Sequence, residues 1–128
     1  MREILFRGKN IRGIWHIGLL AHIGNAWYIS NKAGIATAFE VIPETIGQYT
    51  GLIDKNGKRI FEGDIVKCTS RFDAKDMVVI FETAEFHLVD CQKYKNYTEC
   101  CGYRHFGTLE TEVIGNIHDN PELVEALL

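Results

Sequence analysis

Apolar and polar residues alternate over short stretches along most of this chain, and the stretches are separated by Gly, Asn and Asp. In Glu3 to Gly8, Ile4 and Phe6 share one face and Glu3, Leu5 and Arg7 the other, a period of two that predicts a strand over Arg2 to Gly8. The turn residues Gly8-Lys9-Asn10 lead to a second strand, Arg12 to Gly18, in which Trp15 and Ile17 share a face, so the two form a hairpin. Ala26 to Ser30 reads as a third strand, with Trp27 and Ile29 on one side. Asn31 to Thr37 reads as a loop, and Phe39, Val41 and Ile42 re-enter the sheet. Ile46 to Ile53 is again β in character, Asp54-Lys55-Asn56-Gly57 is a turn, and Lys58 to Phe61 returns. Gly63-Asp64 makes a corner before the strand from Ile65 to Cys68.

Met77 to Phe81 is apolar at every position, the pattern of a central strand covered on both faces. Phe86 and Leu88 share a face of its hairpin partner across Thr83 and Ala84. Cys91 to Gly107 has weak periodicity and reads as a long excursion, and Glu112 to Ile117 is a closing strand. Asp119-Asn120-Pro121-Glu122 predicts a helix start, with Asn120 as N-cap and Pro121 as first residue of a short terminal helix. The expectation is a mainly β fold: antiparallel strands in a small SH3-like barrel with a short C-terminal helix. It forms a single domain, 1–128, made of an N-terminal hairpin region (1–42) and a barrel-like region with the helix (43–128).

Composition narrows the function classes. Two Trp, seven Phe and five Tyr in 128 residues suffice for one core, and twelve Gly against two Pro agree with many tight turns. A formal charge of −3 argues against a protein that coats nucleic acid, since neutralising phosphates takes a surplus of Lys and Arg. Met1 to Asn10 lacks an apolar signal region, and no apolar run approaches the ~20 residues of a membrane span, so the expected location is the cytoplasm. Cys68, Cys91, Cys100 and Cys101 are expected as free thiols in that compartment.

The residues with chemical capacity have local duties. Asp54 and Asp64 sit where a carboxylate accepts backbone N–H groups in a turn. Asn56, Gly57 and Gly63 supply turn conformations, so Asp54, Asn56, Gly57, Gly63 and Asp64 are assigned structural roles. Glu44 and Glu62 complete the carboxylates of this stretch, and no pair of them stands out as a general acid and base. His87, Cys91, Cys100, Cys101 and His105 fall in one segment, but only Cys101 and His105 have a metal-ligand spacing, and adjacent strand cysteines point to opposite faces. His16, His22 and His118 suggest no triad. No catalytic residue, metal or cofactor is expected. Turn chemistry explains Gln48 and Tyr49 least, and these two, with Tyr94 and Tyr97 in the excursion, are the candidate partner-binding residues. Lys93 to Tyr97 and Tyr103 to Phe106 interleave aromatic and basic residues as a single-strand nucleic-acid surface would, although Asp90, Glu99 and Glu110 flank them.

Several blocks together resemble the YopX family of phage- and prophage-encoded proteins: Met1 to Gly8; Trp15-His16-Ile17-Gly18; Pro43-Glu44-Thr45-Ile46-Gly47-Gln48-Tyr49-Thr50-Gly51-Leu52; Asp54 to Lys58; Glu62 to Val66; Glu112 to His118; and Asn120 to Leu123. Thr69 to Gly107 carries little of that pattern, and Ile17 stands where relatives often have an aromatic residue. The resemblance implies an SH3-like β domain and a phage setting, with no catalytic residues to carry over. The expected function is that of a non-enzymatic accessory protein that binds an unidentified host or phage protein, or its own copies. The alternative is a single-stranded nucleic-acid-binding β-barrel.

Overall fold

The computed structural model describes residues 3–30, 37–71, 73–82, 84–96 and 110–124. Ten antiparallel strands account for most of them: β1 Phe6–Lys9, β2 Trp15–Ile23, β3 Ala26–Ser30, β4 Ala38–Val41, β5 Gly47–Ile53, β6 Arg59–Phe61, β7 Asp64–Thr69, β8 Ala74–Glu82, β9 Glu85–Asp90 and β10 Glu110–Asn116. The expected mainly β class is what the chain adopts. The chain divides into two compact units, Met1–Gly51 and Leu52–Leu128. Gly47 and Gln48 of β5 pair with Arg7 and Phe6 of β1 within the first unit.

In the first unit the strands run β4-β3-β2-β1-β5 across the sheet. Asn10 shapes the β1–β2 turn: its backbone N–H donates to Ile14 O and its backbone O accepts from Gly13, which has φ +83. Alternation sorts the side chains cleanly. Phe6, Gly8, His16, Leu20, Trp27, Ile29, Phe39 and Val41 lie on one face, and Ile29 and Val41 are buried there. Gly8 is required at its position, since a Cβ there would come within 2.8 Å of the Val41 side chain. The end of β4 reaches β1 through one hydrogen bond, Ile42 N–H to Lys9 O at 2.8 Å. The chain then turns away through the 3-10 turn Pro43–Thr45, so this ladder does not continue and the expected SH3-like barrel does not close.

The second unit is built on the sheet β10-β7-β8-β9. Its central strand β8 is covered on both faces from Met77 to Ile80, as the apolar run predicted, but Phe81 at the end of that run is 44% exposed. Val66, Cys68, Met77, Val79 and Leu88 form one core with Ile60 of β6, and Phe86 and Val113 pack against it. Ile65, Val78, Ile80, Val89 and Cys91 form the other core with Val124, closed by Tyr94 and Ile117. A bulge between Val113 and Gly115 breaks the β10–β7 register. A Cβ at Gly115 would run into the Asn120 side chain.

Among the described residues there is no C-terminal α-helix. Pro121–Val124 form a single 3-10 turn. Asn120 does not act as the expected N-cap: its side-chain oxygen accepts from Asn116 N–H, on the preceding side, while Leu123 N–H donates to its backbone carbonyl. The pull of the 116–120 turn on that side chain outcompetes the helix start.

Candidate functional site

The conspicuous carboxylates of the 54–64 stretch are committed to backbone. Asp54 is 5% exposed, and its Oδ1 accepts from Asn56 and Lys58 N–H and its Oδ2 from Val113 N–H, each at 2.9 Å. Burial by itself would raise its pKa. The bonds from Val113, Lys58 and Asn56, with the charge of Lys58, more than offset this and hold the carboxyl below its ordinary value. Asp64 is buried and accepts from Phe61 N–H at 2.7 Å. Asn56 and Gly57 occupy the exposed tip of the turn, where Gly57 has φ +81 and its N–H donates to Asp54 O, and Gly63, at φ +91, makes the corner before β7. Asp54 and Asp64 thus accept backbone N–H groups, and Gly57 and Gly63 take the left-handed conformation.

Cys91 is buried, and its thiol is pushed up to about 12, first by burial and then by the nearby Asp76 and Asp90. That leaves no useful thiolate near neutral pH. His87 is also buried; its Nε2 lies 3.1 Å from Glu82 O and 3.8 Å from the Glu85 carboxylate. Among the described residues no three His, Cys, Asp or Glu side chains converge as a metal site would need, and Cys100, Cys101 and His105 lie outside those residues. A groove of about 550 Å³ at one end of the second unit is lined by Lys67, Lys75, Asp76, Asp90, Cys91 and Leu123. Lys75 and Asp90 approach to 3.9 Å within it, so the groove presents both signs of charge.

Of the candidate binding residues, Gln48 and Tyr49 lie in the first unit and Tyr94 in the second. Gln48 and Tyr49 are neighbours on β5 and point to opposite faces. Tyr49 is 7% exposed, and its N–H donates to Leu5 O. Tyr94 packs against a core of the second unit, and Tyr97 lies outside the described residues. The basic–aromatic stretch at 103–106 lies outside them as well; Lys95 is exposed in the 3-10 turn Cys91–Asn96.

An apolar surface lies instead on β2. The odd positions of this strand, Trp15, Ile17, Leu19, Ala21 and Ile23, share the face opposite the Ile29–Val41 core. Ile17, Leu19 and Ile23 are 42%, 44% and 66% exposed, Ala21 is exposed, and Tyr28 stands half-buried directly across from Ala21. At the other end of the strand, the Arg7 guanidinium lies 4.7 Å from the centre of the Trp15 ring and Lys9 Nζ 5.8 Å from it. The signal was present in the sequence as five alternate apolar residues. What the alternation does not say is which face of the strand is left uncovered.

No helix among the described residues is long and apolar enough to cross a membrane. No curated protein matches the chain. Its fold is similar to that of the crystal structure of protein EF1440 from Enterococcus faecalis, with a TM-score of 0.54 and 24% identity over 98% of this chain and 100% of that one. The family model described as YopX protein matches residues 16–125, most of the chain, and the chain therefore belongs to the YopX family.

Proposed function

We propose that this protein is a non-catalytic protein-binding module of a phage or prophage, acting in the bacterial cytoplasm, and that it docks an apolar segment of another protein on the outer face of β2. The observation that carries the reading is the exposed row Ile17–Leu19–Ile23. Single exposed apolar residues are ordinary, but Ile17, Leu19, Ala21 and Ile23 at successive alternate positions of one strand form a strip that water covers at a cost. Trp15, with Arg7 and Lys9 set against its ring, is a rigid aromatic anchor at the end of that strip, the kind of residue that concentrates binding energy. The commitment of Asp54, Asp64, Cys91 and His87 to structural contacts favours binding over catalysis.

The test is capture from lysate of the natural host with tagged wild type and with Leu19→Lys, each with and without nuclease. Recovery of the same protein by wild type in both nuclease arms, and its loss with Leu19→Lys at unchanged melting temperature, is the expected result. Equal recovery by the variant would remove β2 as the surface. Recovery of nucleic acid, with protein partners lost after nuclease, would replace protein binding by the single-strand reading.

A further inference from the structure

On the face of the first unit opposite that strip, the β1–β2 turn contains a hydrogen-bond arrangement that fixes where a histidine carries its proton. Asn10 Oδ1 accepts from both Arg12 N–H and Ile14 N–H at 2.9 Å. An amide placed the other way round would turn its NH₂ group towards two backbone donors, so the orientation is settled by its neighbours and not by convention. Asn10 Nδ2, which can only donate, then faces His16 Nε2 at 3.2 Å. Nε2 must therefore be the acceptor. Phe39 stacks on the imidazole with centroids 4.0 Å apart and planes 7° from parallel, which fixes the ring's plane but not its proton.

We infer that Asn10 holds His16 as the neutral tautomer protonated on Nδ1, and that adding a proton at Nε2 releases the β1–β2 turn: an acid-sensitive latch built into the first hairpin. A proton on Nε2 would set two donors against each other at hydrogen-bond distance. The bond can be regained only if the amide or the ring moves, and moving the amide takes the acceptor away from Arg12 and Ile14. Among the described strand residues of this unit, no carboxylate shares the face of His16. Strand alternation sends Arg7 and Lys9 of β1, Tyr28 of β3, Glu40 of β4 and Tyr49 of β5 to the other face. Arg12, in the turn, is a cation. Among the described strand residues of this unit, His22 is the other titratable side chain on the same face, and it is stacked on Trp27 with centroids 4.0 Å apart.

The test is nitrogen NMR of the histidine rings in the full chain, combined with amide exchange as the pH is lowered. In the wild type at neutral pH, His16 Nδ1 is expected to carry the proton and Nε2 to be bare. Asn10→Asp keeps an oxygen for Arg12 and Ile14 and replaces the NH₂ by a second acceptor. The proton is then expected on Nε2, an exchange of the two ring-nitrogen signals. Protection of the Arg12 and Ile14 amides is expected to be lost in the wild type as His16 becomes charged and kept in Asn10→Asp over the same range. A wild-type His16 protonated on Nε2 at neutral pH overturns the inference even if the variant fails to fold. So does a tautomer unchanged by Asn10→Asp, or protection lost equally in both proteins.

Discussion

Strands β2 and β8 are both nine residues long, each has two neighbours in its sheet, and both are strongly apolar, yet they end in opposite circumstances. Met77 to Ile80 of β8 are buried, because Ile60 and Val113 cover one face and Tyr94, Ile117 and Val124 the other. The outer face of β2 leaves Ile17, Leu19 and Ile23 in contact with solvent. Both strands are hydrogen-bonded to two neighbours, but only coverage of each face turns apolar side chains into a core. The second unit uses its hydrophobic surface to hold itself together. The first keeps part of its own available.

Substitutions can break or sharpen this contrast. The largest effect is expected from Leu88→Ala, which opens a cavity in a fully buried core and costs about 2–5 kcal/mol, read from guanidinium unfolding. Gly8→Ala is expected to cost ~1–3 kcal/mol through overpacking against Val41, and Val41→Ala in the same chain should recover part of that loss. An additive double variant would show that the close approach does not set the cost.

Asp54→Asn turns an NH₂ group towards Val113 N–H and is expected to cost about 1–3 kcal/mol. In the wild type, the folded-state pKa of Asp54 lies below the ordinary 3.8, so its contribution is fully present above that value and is lost as the pH falls through the lower folded value. Acid unfolding followed by circular dichroism should show this as a wild-type stability advantage over Asp54→Asn that shrinks below about pH 4. The smallest effect on stability is expected from Leu19→Lys, within ~0.5 kcal/mol, because that side chain is already in water. A loss as large as that of Leu88→Ala would mean that the β2 face is covered and is part of a core.

Much of the fold was legible from local chemistry. Ala26 to Ser30 keeps the expected strand limits, Asp54 accepts the turn N–H groups its position suggested, and the unbroken apolar run near Met77 marks the central strand. The features that were not legible depend on distant parts of the chain. The barrel stays open because the backbone turns away from β1 at Pro43, and Asn120 bonds backwards because Gly115 leaves room for its side chain. Gln48 and Tyr49 were attractive because turn chemistry did not explain them. In the structure Gln48 pairs with Phe6 of β1, and Tyr49 is buried. The β2 strip was visible as alternation, but exposure is a property of what fails to pack on a face, and no local pattern records that.

If partner binding belongs to the outer face of β2, a photoreactive residue there places it most directly. It would be installed at Leu19 in one protein and at the exposed Thr69 of β7 in another, each irradiated in host lysate. A discrete protein adduct from position 19 and none from position 69 is the predicted result. Adducts from position 69 alone, or identical adducts from both, would contradict it.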